Sequence, residues 1–499
     1  MADTNGAARD ELEQPLIAEG EADNHRLRLA EQPSKEEGLG KRVWAEVRKQ
    51  WHIVGPAIFS RVASFSMNVV IQVFAGHVGD LELAAVSVAN NVIVGFNFGL
   101  LLGMASALET LCGQAFGAKR LDMLGIYVQR SWIVLFLCSV LIMPIYIWSG
   151  PILKGIGLSE EVAYETQLVA RWMIPVQFSF GLQFPMQRFL QSQLKTYIIA
   201  WVSIVALVVD IFLSWLLVYI FDFGVVGLAI AFDISWWLMV FGLFGYTVGG
   251  GCPGTWTGFS WQAFHDLWEF ITLSAASGVM LCLENWYYRI LVLMVGYLKN
   301  ATIAIDALSI CMTINGWEFM IPLAFLGATG VRVANELGAG NGKAAKFATK
   351  VSVAQSTVMG TAFFALILIL HDKFGLLFTS SSSVLEECDS LSLLLAFSIL
   401  VNSIQPVLSG VAIGSGWQAW VAYINLGCYY VIGLPLGIVM GWVAHTGVEG
   451  IWAGMLVGGT VLQTIILAVI VARSNWDKEV EKAQTRVRKW STQAPDEES

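Results

Sequence analysis

Charge is scarce in this 499-residue sequence: Asp, Glu, Lys and Arg together make up 13% of it. An ordinary soluble domain carries about 25%, so a fold that faces water on all sides is excluded. Histidine is also scarce. His25, His52, His77, His265, His371 and His445 are scattered, with no metal-ligand spacing, and no nucleophile–base cluster stands beside them. That pattern excludes an enzyme, and no metal or cofactor is expected. A G-x-x-x-x-G-K-[ST] loop is absent, which excludes a nucleotide-driven pump. There is no C-x-x-C pair. Cys138, Cys282, Cys311 and Cys428 lie within apolar runs and read as small buried hydrophobes. The first 50 residues lack a signal-peptide apolar core. They hold 11 of the 38 acids behind the net charge of −9, read as a disordered tail and give no basic surface for nucleic acid.

Hydrophobic residues are plentiful, at 56%, and the mean hydropathy is +0.64. Only a bilayer accommodates that much apolar surface. Twelve apolar segments follow, near 51–75, 83–112, 126–148, 163–187, 197–221, 225–247, 267–298, 303–330, 348–370, 390–413, 417–442 and 448–472. Each is long enough to cross a core of about 30 Å as a helix. The expected fold is all-α, with an even number of spans and both termini on one side. If that side is the cytosol, the flanks and loops there carry 19 lysines and arginines from residue 41 on. The opposite loops carry three, Lys154, Lys299 and Lys373. This bias predicts cytosolic termini.

The sequence repeats itself at about 221 residues. Gln114-Ala115-Phe116-Gly117-Ala118 aligns with Asn335-Glu336-Leu337-Gly338-Ala339, and Pro185 aligns with Pro406. Gln191-Ser192-Gln193 falls one residue from Gly414-Ser415-Gly416, and Gly224–Leu228 aligns with Gly447–Ile451 at a spacing of 223. Six spans per copy, repeated head to tail, give parallel repeats about an axis normal to the membrane. The expected division is a tail over 1–50, an N-lobe over 51–248, a linker over 249–266, a C-lobe over 267–472 and a cytosolic C-tail over 473–499. Two such lobes facing across a cleft suit alternating access.

Cys112-Gly113-Gln114-Ala115-Phe116-Gly117-Ala118, placed after the second span, resembles the first-half signature of multidrug and toxic compound extrusion (MATE) transporters. Arg332-Val333-Ala334-Asn335-Glu336-Leu337-Gly338-Ala339-Gly340 resembles their second-half signature. Glu284-Asn285-Trp286-Tyr287-Tyr288 is similar to the acidic motif of the seventh span in the eukaryotic branch. Val407–Ala412 with Gly414-Ser415-Gly416-Trp417-Gln418 is similar to the tenth-span exit of the plant "detoxification" proteins. The resemblance covers roughly residues 45–475. It implies a V-shaped fold and a secondary antiporter, usually proton-coupled in plants, that exports organic solutes such as xenobiotics or secondary metabolites.

Ionisable residues at membrane depth are costly and face a cavity or a partner. Glu284 falls near the middle of the seventh span. A carboxylate out of water there is suited to exchanging a proton, or it is a structural, hydrogen-bonded acid. The resemblance also makes it the proton site. Tyr288, one turn on, shares its face. Arg289 stands where several eukaryotic relatives carry a second acid, and Asn402 stands where some plant relatives have one. Both departures favour anionic or neutral polyphenolic cargo over organic cations, unless Arg289 merely pairs with Glu284 or Glu318. Glu318 and Asp306 fall in the eighth span, and Asp210, in the fifth, is the candidate polar site of the N-lobe. Asp233 falls in the sixth. Glu109 is expected near water at the end of the second span, and Arg61 is expected to pair with one of these acids.

Two features of the tails carry expectations. Glu11-Leu12-Glu13-Gln14-Pro15-Leu16-Ile17 resembles an acidic dileucine sorting signal and favours the vacuolar membrane over the plasma membrane. Past Asp477, Val480, Ala483, Val487 and Trp490 recur at helical intervals among Lys482, Arg486, Arg488 and Lys489. Such a helix lies on an anionic leaflet or is solvated. The expected partners are small organic substrates, protons and lipid, with the chain as a monomer. The alternative is an anion channel on the same scaffold, which Arg289 keeps open.

Overall fold

The computed structural model describes residues 38–265, 267–295, 298 and 301–491, apart from the side chains of 293, 301, 302, 490 and 491. The dileucine-like segment, residue 266 of the linker and Lys299 lie outside the described residues. All regular structure among the described residues is helical. In chain order the helices are α1 Leu39–Val78, α2 Asp80–Gly117, α3 Asp122–Ile147 and α4 in two pieces, Glu160–Trp172 and Ile174–Ser192. Next come α5 Thr196–Ile220, α6 Gly224–Gly251, α7 Leu267–Val295, α8 Ala301–Gly338 and α9 Gly342–Ile369. Then follow α10 Ser382–Ser415, α11 Gln418–Val443, α12 Gly447–Arg473 and α13 Trp476–Ser491.

Eleven of the first twelve are long and apolar enough, as unbroken helices, to cross a bilayer. The exception is α4. Its chain leaves helical geometry at Met173, two residues before Pro175, and a proline at the start of a helix lacks the N–H a continuing turn would need. Twelve crossings therefore stand, one of them broken. Apolar side chains such as Val208, Phe212, Phe241, Ile369 and Val431 are exposed on the outside, where lipid would cover them. The apolar interior divides by repeat. One cluster draws on residues from Met67 to Phe270, and a second on residues from Tyr287 to Leu456. Two smaller clusters join helices around α8 and α10.

Both described ends of the chain lie on one face, here called the terminal face; the opposite one is the far face. Helices run further at the terminal face than hydropathy suggested. α1 begins at Leu39, twelve residues before the expected span, and residues 39–50 are helical rather than disordered. Glu46 and Gln50 are buried there. Glu46 meets Arg332, and the Gln50 amide donates to the Ala348 carbonyl at 3.0 Å. These partners are nearly 300 residues away, so local polarity concealed the helix. The signature segments are likewise the last turns of α2 and α8, not loops beyond them.

α13 departs most from expectation. Its Trp476 and Ala483 share one buried apolar cluster with Val333, Leu337 and Leu408, and Val487 is buried as well. The apolar face is spent on protein, so it does not rest on a leaflet.

Candidate functional site

The terminal face is closed by a seam between the repeats. Gly117 of α2 passes so close to α8 that a Cβ there would overlap the Asn335 carbonyl, and a Cβ at Gly338 would overlap the Gln114 carbonyl. Gly338 is the repeat counterpart of Gly117, as Asn335 is of Gln114, so each glycine makes room for the other lobe's backbone. Side chains complete the seam. Thr110 Oγ1 donates to the Ile413 carbonyl at 2.5 Å and Gln114 Nε2 to the Gly414 carbonyl at 3.0 Å. Asn335 Nδ2 returns a bond to the Ser192 carbonyl at 3.3 Å. The segments that carried the internal repeat are therefore the ones that touch.

Ion pairs sit in the same layer. Glu109, expected near water, is fully buried and lies 2.8 Å from Arg188. It abuts Gly330, its own repeat counterpart, where a Cβ would overlap the carboxylate. Hydropathy placed Glu109 by its distance from the span end; the opposing lobe and Arg188 remove the water. Arg61 lies within electrostatic reach of Glu109 and Arg188 but forms no ion pair among the described residues. Arg332 reaches Glu46 at 3.0 Å and Glu336 at 2.8 Å. Arg188 and Arg332 thus belong to the interior and not to the lipid–water flank; the positive bias does not depend on these two.

At mid-depth the C-lobe gathers polar side chains from four helices. Glu284 and Tyr288, one turn apart on α7, face α10. Gln405 stands against Glu284 and donates onward to Ser409 Oγ at 3.0 Å. Tyr288 Oη donates to Asn402 Oδ1 at 2.9 Å and lies 3.2 Å from Thr460 Oγ1 of α12. Asn402 Nδ2 donates to Asn315 Oδ1 of α8 at 3.3 Å. Glu318, on the next turn of α8, faces Ser403. Glu284 Oε2 and Glu318 Oε2 are buried with no hydrogen-bond partner among the described residues. The backbone loosens at the same level. Pro322 and Pro406 lie inside α8 and α10, and each removes the helical N–H that the residue four before it, Glu318 or Asn402, would have met.

Arg289 takes another direction. Its guanidinium donates to the Asn91 carbonyl in a wide π-type turn of α2, crossing from one lobe to the other beside Gly95. It forms an ion pair with neither Glu284 nor Glu318 among the described residues. In the N-lobe, Asp210 is buried beside Ser235, and Asp233 lies by the Val176 amide at the break in α4. Asn97 Nδ2 donates to Tyr146 Oη at 3.3 Å nearby. The structure therefore brings together Glu284, Tyr288, Asn402 and Glu318, and leaves Asp210 and Arg289 apart from them. Gln405, Asn315 and Thr460 went unread in the sequence, because neutral amides and hydroxyls are common inside helices and carry no spacing signal.

Above this layer, α8 exposes Asp306, Ser309 and Thr313 on successive turns toward the far face. Hydrocarbon would reject such a stripe; water in a cleft accepts it. Trp317 of α8 meets Phe65 of α1 edge-on at 5.0 Å, and Trp286 of α7 meets Phe96 of α2 at 5.6 Å. These pairs join the lobes at mid-depth.

The repeat also has an external counterpart: a single family model, MatE, matches residues 56–216 and again 276–439. The chain belongs to the MATE family of transporters. Within that family it is 62% identical to Protein DETOXIFICATION 27 of Arabidopsis thaliana over 455 residues, 91% of this chain and 94% of that protein. It is 58% identical to Protein DETOXIFICATION 26 of Arabidopsis thaliana over 453 residues, 91% of this chain and 93% of that one. The crystal structure of the eukaryotic MATE transporter AtDTX14 superposes with a TM-score of 0.85 at 34% identity, covering 89% of this chain and 99% of that one. The MATE transporter VcmN of Vibrio cholerae, at 16% identity and a TM-score of 0.78 over 87% of this chain and 99% of that one, shares the fold. The MATE chain described here is accordingly a membrane efflux transporter and not an enzyme.

Proposed function

We propose that this transporter is a proton-coupled antiporter that moves small organic solutes out of the cytosol by alternating access of its two lobes. Glu284 is the proton carrier. One observation carries the reading: Glu284 is a buried mid-depth carboxylate surrounded by neutral amides and hydroxyls, with one oxygen free of any described partner. A lone acid in that position changes its charge by gaining or losing a proton, whereas an ion-paired acid keeps its charge. When Glu284 is neutral, Gln405 and Tyr288 need no countercharge beside it. When it is charged, that cost is relieved by opening to water. Proton occupancy and lobe position are thereby linked.

The terminal face is cytosolic, on the strength of the lysine and arginine bias. The dileucine-like tail, together with the plant relatives, supports the vacuolar membrane. The chain works as a monomer, since each lobe finds its counterpart within the same polypeptide. Arg289 adds a cation to the boundary between the lobes, with no carboxylate paired to it among the described residues. It supports anionic or neutral polyphenolic cargo.

The test is uptake into proteoliposomes with an imposed pH gradient, using a panel of organic cations, organic anions and glycosylated flavonoids. Gradient-driven accumulation of at least one class is expected. In Glu284→Gln it disappears while the protein remains monodisperse and inserted. Near-normal accumulation by that variant contradicts the assignment. Flux indifferent to the gradient, with conductance under voltage clamp, contradicts antiport itself.

A further inference from the structure

The seam is nearly twofold, yet one element breaks its symmetry. α13 packs as part of the C-lobe. Trp417 Nε1 donates to Glu479 Oε2 at 2.9 Å, and a Cβ at Gly342 would lie 2.9 Å from the Trp476 carbonyl oxygen. From that base α13 reaches into the other lobe. Arg486 Nη1 donates to Gln114 Oε1 at 2.8 Å, while the Gln114 amide donates to Gly414 of α10. The guanidinium lies across Gly416, whose φ of +82° is left-handed and whose missing side chain leaves the space. Arg486, Gln114 and Gly414 thus form one chain of bonds through α13, α2 and α10. The segment that follows α6 in the N-lobe is built differently. Its Thr255 donates to Gln193 at 2.8 Å, and the Ser260 amide donates to Gln129 at 2.9 Å, both within its own lobe. Asn335, the counterpart of Gln114, bonds the Ser192 carbonyl and has no described arginine on it.

We infer that α13 is a latch that holds the terminal face closed and so sets the balance between the two transport conformations. The inference rests on the alternating-access reading above. A solute entering from the terminal face requires α2 to part from α8 and α10. Arg486 is carried by the C-lobe and Gln114 by the N-lobe, so that movement must break their bond. The acceptor is a neutral amide, which makes the link releasable where a buried carboxylate would make it persistent. Anything that lifts α13 from its bed, including a charge added to its buried face, releases the latch.

Spin labels at positions 119 and 343, exposed beside the seam on opposite lobes, report the opening by pulsed electron paramagnetic resonance on the full chain in nanodiscs. A short separation is expected to dominate in the unmodified protein. In Arg486→Ala the population at longer separation rises about tenfold, within the usual range for coupled states. Gln114→Leu does the same, and the double variant adds little beyond either alone. Should Arg486→Ala lose its folded, monodisperse state, Arg486→Lys, whose ammonium lacks the planar fork, reads the same link. Distances unchanged by the substitution, or two fully additive effects, overturn the latch. If the distances shift while the wild type shows no pH-driven uptake, the latch stands and the antiporter reading fails. If the distances stay fixed while pH-driven uptake is normal, the reverse holds.

Discussion

Two layers of this molecule bury acids in opposite company. At the terminal face Glu109 is held by Arg188, and Glu46 and Glu336 by Arg332. At mid-depth Glu284 and Glu318 meet only amides and hydroxyls, and no described cation pairs with Asp210 or Asp233. A buried pair with its hydrogen bonds in place keeps both charges and a fixed geometry. A lone buried carboxylate is stable when neutral and costly when charged, so it responds to protons and to water. The first layer is suited to a gate with two definite positions, and the second to a site whose charge changes between them.

The largest expected effect lies at the seam. Gly117→Val or Gly338→Val places a side chain where the other lobe's carbonyl lies. Close-packed interiors do not absorb that volume without displacement. The terminal face should fail to close, and label separation across positions 119 and 343 should lengthen in nearly every molecule. A folded variant that keeps the wild-type separation refutes the seam.

Removing one member of the ion pair is the next largest effect. Glu109→Gln leaves Arg188 buried without its countercharge and should destabilise the protein by about 3–5 kcal/mol. Replacing both, with Glu109→Gln and Arg188→Met, should recover much of that loss. Thermal unfolding in a fixed detergent checks both statements, and equal stability of the single and double variants contradicts the pairing. Glu284→Gln, which removes a lone acid, should leave the melting temperature unchanged or raise it.

The smallest effect belongs to Arg289. Arg289→Gln removes one positive charge from a partly exposed boundary, where screening leaves about 1 kcal/mol. The ratio of anionic to cationic uptake should fall about fivefold. An unchanged ratio makes Arg289 a tie to the Asn91 carbonyl and nothing more.

Much of the fold was legible because bilayer crossing imposes a length and a composition on each helix. The twelve crossings and the repeat follow from apolar runs and from Gln114–Ala118 matched to Asn335–Ala339. Polar helix ends were not legible. Residues 39–50 are helical because Glu46 and Gln50 find partners far away in sequence, which no local pattern shows. The intervals of Val480, Ala483 and Val487 did show the helix of α13, but not that Trp476 and Ala483 would bury its face against protein. Within the site, Glu284, Glu318, Asn402 and Tyr288 stood out as polar groups at depth. The seam's role for Gly117 and Gly338 did not, because a glycine that permits contact leaves no trace beyond its own identity. Arg289 was visible as a charge, but its direction depends on the helix face and on the π-type turn of α2, which hydropathy cannot supply.

We propose above that Glu284, the mid-depth acid without a described cation, exchanges the coupling proton. The most direct measurement follows proton release from purified protein in weakly buffered solution. A pH-indicating dye would record the signal as the protein is saturated with a solute that the imposed gradient drives in the uptake panel. About one proton per molecule is expected from the wild type and from Arg289→Gln, and none from Glu284→Gln. Equal proton release from wild type and Glu284→Gln would contradict the account.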